Sequence, residues 1–307
     1  MKIEGIHHIT AITGEAQQNV DFYAGTMRLR IVKTRVNQYP TTVYHLFYAD
    51  EEGSPGADLT FFEFRGSPPG QAGAGMVHRI VWRVASEDAL RFWAERLQAA
   101  GTSSRPVDGS LRFADPENLQ HELVVAQVDD QPLIADHPEV PRELALQGFH
   151  AARAYASDPE ASEPLLEEAL GFERTDEGWE ARGNARTGGW AYDSPPDGRA
   201  LQGAGTVHHI AWASQMDDHE AWRTRVVEAG SRPTPVIDRF WFRSIYFREP
   251  SGVLFEIATL GPGFAVDEDP EHLGETLILP PFLEHQRDEI EAALVPITNP
   301  RQTAAHS

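Results

Sequence analysis

The dipeptide His-His occurs twice in the chain, at residues 7–8 and 208–209, and each pair lies in a similar short apolar run. Residues 5–10 read Gly-Ile-His-His-Ile-Thr, and residues 205–212 read Gly-Thr-Val-His-His-Ile-Ala-Trp. A glycine followed by apolar and β-branched residues is typical of the start of a β-strand. Because neighbouring side chains on a strand point to opposite faces, we expect each pair to send one imidazole to each face. Two such strands could converge on one metal ion, and their similarity indicates an internal duplication.

Residues 73–82 and 203–212 extend this repeat, because they are identical at seven of ten positions. A helical pattern follows each run, over residues 89–100 and 220–229, and both patterns end at an alanine that precedes a glycine. Glycine directly after the last periodic residue is typical of a helix C-cap. The repeated unit therefore begins with a strand followed by a helix.

The end of the unit carries a glutamate in both strong copies. A turn containing proline precedes a last strand, and the glutamate lies six residues after that proline, as Glu122 in one copy and Glu256 in the other. Two weaker copies begin at residues 5 and 148. Their predicted helices and strands lie at residues 17–24, 29–33, 43–48, 59–64, 163–170, 179–181 and 189–192. Four βαβββ units in two tandem halves predict an α+β protein.

The units divide the chain into segments. We predict an N-terminal domain of two units over residues 1–130 and a C-terminal domain of two units over residues 146–262. Residues 129–141 are rich in proline and aspartate, and we interpret residues 131–145 as a linker. Residues 263–307 belong to neither repeat and are expected to form a C-terminal arm.

Composition excludes several classes of partner. A net charge of −21 argues against nucleic acid, because binding to phosphate needs a basic patch. Apolar runs fall short of the roughly 18 residues of a membrane span, and a strand beginning almost at Met1 leaves no room for a signal peptide. With no cysteine, disulfides and thiolate ligands are excluded. We expect a soluble cytoplasmic protein, and a homo-oligomer is compatible with the sequence.

The repeat indicates a candidate metal-ligand position on the first strand of each unit. The candidate position directly follows the first histidine of that strand, and it holds, in chain order, His8, Arg79, Ala151 and His209. Because the first and fourth units alone offer an imidazole there, we predict that these two share one cup and that the second and third share the other. Glu256 adds a carboxylate from the fourth unit, whereas the equivalent position of the first unit holds Thr60.

His8, His209 and Glu256 thus form a 2-His-1-carboxylate set, which suits non-haem Fe(II) oxygen chemistry. The same nitrogen and oxygen donors are compatible with Mn(II), Ni(II) or Zn(II). A single histidine on a strand is more often structural, but two matched His-His strands and a glutamate favour a metal site. The other cup, with Arg79 at a ligand position, should hold no metal, and Glu122 there is expected to be structural.

Several segments carry a family resemblance that extends over nearly the whole chain. They are residues 5–10, 44–50, 148–150, 207–209, 238–249, 250–256, 261–264 and 279–281. In these segments the chain resembles the vicinal oxygen chelate superfamily, whose βαβββ units pair into open, cup-shaped mixed β-sheets that bind metal. Within it, the chain is most similar to the ring-cleaving dioxygenase branch that includes the hydroquinone 1,2-dioxygenases.

The resemblance implies Fe(II) as the cofactor, with Mn(II) as the alternative, and it places Arg239 and Tyr246 in the substrate pocket. Tyr246 precedes Glu256 by ten residues, as expected for an adjacent antiparallel strand that reaches the same cup. A tyrosine hydroxyl can hold a phenolic oxygen, and an arginine can stabilise an oxyanion. We interpret residues 239–246 as an aromatic-rich strand, with Trp241 either in the pocket wall or in the core.

Three further residues near the predicted ligands are candidates for supporting roles. The resemblance marks His7 and His208 as second-sphere residues, but strict alternation points both away from the cup, so that role requires a bulge or a contact with the tail. Thr10 lies two residues after His8 and shares its face, where it can hydrogen-bond a ligand or substrate. Packing in the core is the alternative for Thr10.

The leading functional hypothesis is an Fe(II)-dependent ring-cleaving dioxygenase whose partners are O2 and a small aromatic substrate, a hydroquinone-like or catecholic phenol. A glyoxalase-like isomerase or thiol transferase is a second hypothesis, although such a site usually needs a fourth protein ligand where Thr60 stands. A metal-free, ligand-sequestering protein of the same superfamily is a third hypothesis. Three retained metal ligands argue against it.

Overall fold

The structure is a computed structural model that describes residues 1–37 and 41–301. The strands within these ranges are β1 (Ile6–Thr13), β2 (Arg30–Val36), β3 (Tyr44–Ala49), β4 (Asp58–Glu63), β5 (Met76–Val84), β6 (Ser104–Val107), β7 (Ser110–Ala114), β8 (Gln120–Val125), β9 (Phe149–Tyr155), β10 (Glu173–Thr175), β11 (Gly178–Arg182), β12 (Thr187–Asp193), β13 (Val207–Ser214), β14 (Ile237–Asp238), β15 (Arg243–Arg248), β16 (Leu254–Thr259) and β17 (Leu277–Ile278). The α-helices are α1 (Ala16–Val20), α2 (Glu87–Ala99), α3 (His219–Glu228) and α4 (Arg287–Ala293).

The helices of the two strong units form close to their predicted positions. Ser86 caps α2 by accepting a hydrogen bond from the backbone N–H of Ala89, and a glycine with positive φ, Gly101, follows the helix. In the weaker units the predicted helices differ in type. Residues 17–24 are divided between α1 and a π-helix at Asp21–Thr26, and most of residues 163–170 form a π-helix at Pro164–Ala169.

The described strands form two mixed sheets, and the predicted pairing of the units is confirmed. The first sheet has the order β14-β15-β16-β13-β1-β4-β3-β2-β17, so it combines the first and fourth units. The second has the order β10-β11-β12-β9-β5-β8-β7-β6 and combines the second and third units. Antiparallel pairing of β1 with β13, and of β5 with β9, joins the two units of each sheet.

Aromatic side chains form the contact between the two sheets. Trp190 of β12 lies with its ring centroid 6.0 Å from that of Trp212 on β13 and 5.0 Å from that of Phe255 on β16. All three side chains are buried. Burial of such large apolar surfaces holds these faces of the two sheets together. The opposite, concave face of the first sheet is then free to form a site.

The C-terminal arm is attached to the edge of the first sheet. Strand β17 pairs in parallel with β2, where the fully buried Lys33 reaches residues of the arm. The Lys33 ammonium donates to the carboxylate of Asp267 at 2.7 Å and to the carbonyl of Phe264 at 3.1 Å, and it forms an ion pair with Glu268. A buried ammonium with three acceptors therefore anchors the arm.

Lys33→Met is expected to detach the arm and to lower the free energy of unfolding by about 3 kcal/mol, because it leaves the largely buried Glu268 carboxylate without its partner. Chemical denaturation measures the loss, and limited proteolysis should show faster cleavage after residue 262. Lys2→Met removes the same charge from an exposed position and is the control. Unchanged stability and cleavage in Lys33→Met would contradict the anchoring role.

Candidate metal centre

Two β-bulges determine the positions of the four histidines. In the pairing of β1 with β13, the register shifts once across His7 and once across His208, so each is an extra residue on its strand. As a result, both imidazoles of each pair lie on the same side, with Nδ1–Nδ1 distances of 2.9 Å for His7 with His8 and 2.8 Å for His208 with His209. The expectation that each pair sends one imidazole to each face is wrong, because strict alternation ends at a bulge.

Three donor atoms from neighbouring strands meet at one point of the first sheet. The Nε2 atoms of His8 and His209 are 3.3 Å apart, and Oε2 of Glu256 lies 3.2 Å and 2.9 Å from them. All three residues are buried, and all candidate ligand atoms lie within 4.8 Å of one another. Strand pairing explains this convergence, because β13 lies between β1 and β16.

The donor set fits a divalent metal ion. Ser244 donates to Oε1 of Glu256, whereas Oε2 is buried with no hydrogen-bond partner among the described residues. A buried carboxylate oxygen without a partner is costly, and coordination of a cation would satisfy it. The two imidazoles and this oxygen form a candidate metal site of the 2-His-1-carboxylate type.

His7 sets the tautomer of His8. The backbone carbonyl of Thr259 lies 3.1 Å from Nε2 of His7, so this nitrogen carries the proton and Nδ1 is an acceptor. His8 then donates from Nδ1 to Nδ1 of His7, and its Nε2 lone pair points at the metal position. In the second pair, Nδ1 of His208 contacts Nδ1 of His209 in the same way, and His208 lines the cavity. Each bulged histidine therefore contacts a candidate metal ligand through Nδ1.

Electrostatics of the centre follow from burial and mutual charge. Burial lowers the pKa of His7 to about 3 and that of His208 to about 4, so both remain neutral near pH 7. Although burial raises the pKa of Glu256, its electrostatic interactions with the imidazoles of His8 and His209 outweigh burial and hold the pKa well below its ordinary value. An ionised carboxylate beside imidazoles that can bind metal suits a divalent cation.

His7→Ala is expected to weaken metal binding by about 10- to 100-fold, because His8 loses the acceptor that fixes its tautomer and orientation. Competition with a chromophoric chelator measures the affinity. His150→Ala removes the equivalent histidine of the third unit and is the control. An unchanged metal affinity in His7→Ala would show that the bulged histidine does not support the ligand.

A cavity of about 340 Å³ opens beside the three donors. Tyr246 lies opposite Glu256 in the pairing of β15 with β16, as predicted, and its ring is 5.6 Å from that of His209. Arg239 donates to the Tyr246 hydroxyl at 3.2 Å. Burial raises the pKa of Tyr246, so the phenol keeps its proton and can donate it into the cavity.

Thr10 lines the same cavity, and its hydroxyl lies 2.9 Å from that of Thr60 on the neighbouring strand β4. Thr60 in turn is 3.1 Å from Nε2 of His45. This hydrogen-bonded group occupies the place where a fourth ligand would be expected. The position of Thr10 on the cup-facing side is as predicted.

One expectation about residues 239–246 needs correction, and the structure favours the core alternative for Trp241. Arg239 lies in the turn between β14 and β15, not on a strand, because Phe240 has a φ of +77° that interrupts the extended run. Trp241 is buried outside the cavity beside the donors, where its indole N–H donates to Asp267 at 3.0 Å. Phe242, one residue later, lines that cavity instead.

Sequence reasoning missed several cavity residues. Six of them come from the first unit and are Arg35, Asn37, His45, Phe47, Phe62 and Phe64. Strands β2, β3 and β4 are adjacent in the sheet, so residues distant in sequence reach one concave face. The family resemblance of residues 44–50, which include His45 and Phe47, was the one available signal.

The second sheet contains ion pairs at the positions where the first sheet has its candidate metal ligands. Arg79, at the position equivalent to the ligand histidines, donates to Glu122 at 3.1 Å, and Arg112 donates to the same carboxylate at 2.9 Å. A guanidinium in the ligand position supplies a positive charge where the first sheet would hold a cation. Glu122 therefore has a structural role in the arrangement observed.

Comparison with known proteins agrees with this geometry. The sequence model of the Glyoxalase/Bleomycin resistance protein/Dioxygenase superfamily matches residues 5–123 and 148–257. The chain belongs to this superfamily. Maize glyoxalase I shares the fold, with a TM-score of 0.56 at 15% identity, over 83% of this chain and 92% of that chain.

Full-length relatives are more similar. A Bacillus subtilis protein provisionally named ring-cleaving dioxygenase MhqA is 38% identical over 97% of this chain and 100% of its own length. The chlorohydroquinone/hydroquinone 1,2-dioxygenase of Sphingobium indicum is 34% identical over 94% of this chain and 95% of that protein. The crystal structure of a provisionally named dioxygenase from Bacillus subtilis has a TM-score of 0.88 at 37% identity, covering 97% of this chain and 98% of the other.

No helix in the described ranges combines the length and apolar character needed to cross a membrane.

Proposed function

We propose that the protein is an Fe(II)-dependent ring-cleaving dioxygenase that acts in the cytoplasm on O2 and a hydroquinone-like or catecholic phenol. The observation that carries the proposal is the convergence of His8, His209 and the unpartnered Oε2 of Glu256 beside an aromatic-lined cavity. Relatives named as ring-cleaving dioxygenases over their full length support it. Mn(II) is the alternative metal that the same donors accept.

His8, His209 and Glu256 would hold the metal beside the cavity. When bound, Fe(II) supplies the one-electron chemistry that O2 needs to react with a spin-paired phenol. The remaining tasks belong to the protein, which must bind the ring, orient its oxygen atoms and supply protons.

Tyr246 is placed to hold a phenolic oxygen of the substrate. Arg239 donates to its hydroxyl oxygen, which leaves the phenolic proton free to donate to a substrate oxygen. The charge of Arg239 also favours negative charge that develops on the ring oxygen. His208 holds a second proton at the wall of the cavity, because its Nδ1 is occupied by His209.

Aromatic side chains give the cavity its shape. Phe62 and Phe242 line it on either side of the histidines, and the ring of Phe242 is 5.3 Å from that of His8. These surfaces favour a flat aromatic ligand and exclude water from the reacting atoms. The size of the cavity suits a single substituted ring.

The two alternative functions fit the site less well. A glyoxalase-like isomerase would use a fourth protein ligand. Thr60 occupies that position instead, and its hydroxyl forms hydrogen bonds with Thr10 and His45. A metal-free binding protein has no use for a buried carboxylate oxygen aimed at two imidazole nitrogens, because burying it without a cation costs free energy.

The test is an oxygen-electrode assay after anaerobic reconstitution with Fe(II). Hydroquinone, catechol and their substituted derivatives should drive O2 consumption, and the hemithioacetal of methylglyoxal and glutathione should not be isomerised. Isomerisation without O2 consumption by any phenol would replace the dioxygenase with an isomerase. Tight phenol binding with neither reaction would indicate a binding protein.

A further inference from the structure

Two arginines line the cavity beside the metal centre without a carboxylate partner. Arg35 comes from β2 and is buried, and Arg239 comes from the turn after β14 and is half-buried. The hydrogen bond of Arg35 is a long one, 3.4 Å from Nε to the carbonyl of Val36, and that of Arg239 reaches the Tyr246 hydroxyl. Within residues 1–37 and 41–301, neither guanidinium forms a salt bridge.

The other two buried arginines have close acceptors for their terminal nitrogens. Arg83 is paired with Asp130 and donates to the carbonyl of Thr187 at 3.0 Å. Arg186 donates to the carbonyls of Gln131 and Gln147 at 3.1 Å and 2.9 Å. The chain carries 47 acidic residues against 26 lysines and arginines. Among the buried arginines that the structure describes, Arg35 is therefore the one with neither a carboxylate nor a short hydrogen bond.

Aromatic rings hold both guanidinium groups in place. Cζ of Arg35 lies 4.8 Å from the ring centroid of Trp241, and Cζ of Arg239 lies 5.3 Å from that of Tyr246. Burial, together with the charge of Arg239, lowers the pKa of Arg35 to about 10. Two like charges fixed close together in a partly desolvated cavity are costly unless an anion neutralises them.

We propose that Arg35 and Arg239 form a subsite for an anionic group, and that the aromatic substrate carries a carboxylate on its ring. This inference rests on the proposed function, whose substrate class it narrows. Planar guanidinium groups match a carboxylate with paired, charge-assisted hydrogen bonds. Both also border a second cavity of about 400 Å³ beneath the C-terminal arm, which leaves room for a substituent beyond the ring.

The experiment compares two ligands that differ mainly in charge, 2,5-dihydroxybenzoate and 2,5-dihydroxybenzamide. Calorimetry under anaerobic conditions, with the Fe(II)-loaded protein, gives dissociation constants without turnover. The carboxylate should bind about 10- to 100-fold more tightly than the amide. Arg35→Gln and Arg239→Gln should each remove most of this preference. Arg243→Gln, which removes an exposed arginine from β15 outside the cavity, should retain it.

Equal dissociation constants for the acid and the amide in the wild-type protein would overturn the anion subsite. So would a preference that survives both cavity variants. Arg239 lies in a half-buried turn, so Arg239→Gln is expected to fold. This variant keeps the test decisive if Arg35→Gln does not fold. O2 consumption with hydroquinone is measured separately. If the anion subsite is wrong, the protein consumes O2 but shows no preference for the acid. If the proposed function is wrong, the protein binds the acid but consumes no O2.

Discussion

Replacement of His8, His209 or Glu256 by alanine is expected to remove bound Fe(II) and to lower ring-cleaving activity by about a thousandfold or more. Each residue contributes one of three donor atoms that lie within 4.8 Å of one another. Loss of any one leaves two ligands and an incomplete charge balance around the cation. Iron content per chain and O2 consumption are measured on the same samples, with circular dichroism to confirm folding.

His78→Ala is the matched control for these variants, because His78 occupies the first-strand position of the second unit and pairs with Asp193 at 2.8 Å. It should keep full iron content. Full iron occupancy in His8→Ala would show that the first unit does not contribute to the centre. A second ion bound beside Arg79 and Glu122 would contradict the structural role assigned to the second sheet.

Tyr246→Phe is expected to keep iron and fold while turnover falls about a hundredfold. The substitution removes one hydroxyl from the cavity, together with the acceptor of the Arg239 hydrogen bond, and leaves the ring and its contact with His209. The phenolic proton is retained near pH 7 because burial raises the pKa of Tyr246. Steady-state O2 consumption and iron content separate a loss of chemistry from a loss of metal.

Tyr155→Phe provides the control for the loss of a hydroxyl, since Tyr155 lies in the second sheet, stacked on His78 at 3.8 Å. Its turnover should match the wild type. Wild-type turnover in Tyr246→Phe, with every substrate identified for the protein, would make Tyr246 a packing residue and would contradict its role at the substrate oxygen.

The repeat predicted much of this molecule because a duplicated unit places equivalent residues at equivalent positions in each sheet. Imidazoles at His8 and His209 implied that the first and fourth units share a sheet, and β1 pairs with β13 as expected. The ten-residue spacing of Tyr246 and Glu256 also predicted adjacent antiparallel strands, and the two residues lie opposite each other because a short connection fixes the register.

Other features depend on long-range pairing that a local pattern does not encode. The bulges across His7 and His208 arise where β1 meets β13, and they reverse the faces that strict alternation predicts. Arg35 reaches the cavity from β2, which lies three strands away from β1 in the sheet. The turn at Phe240 depends on one residue with positive φ, and aromatic residues usually avoid this conformation.

The most direct test of the central claim is the fate of the oxygen atoms. The Fe(II)-loaded protein is supplied with ¹⁸O2 and a substrate identified in the oxygen-electrode assay, and the ring-opened product is analysed by mass spectrometry. We predict that both labelled atoms enter the product and that the His209→Ala variant forms none. The aldehyde group of the product is reduced with borohydride as it forms, because its oxygen otherwise exchanges with water. A trapped product with one labelled atom, or with none, would contradict a dioxygenase reaction at the centre formed by His8, His209 and Glu256.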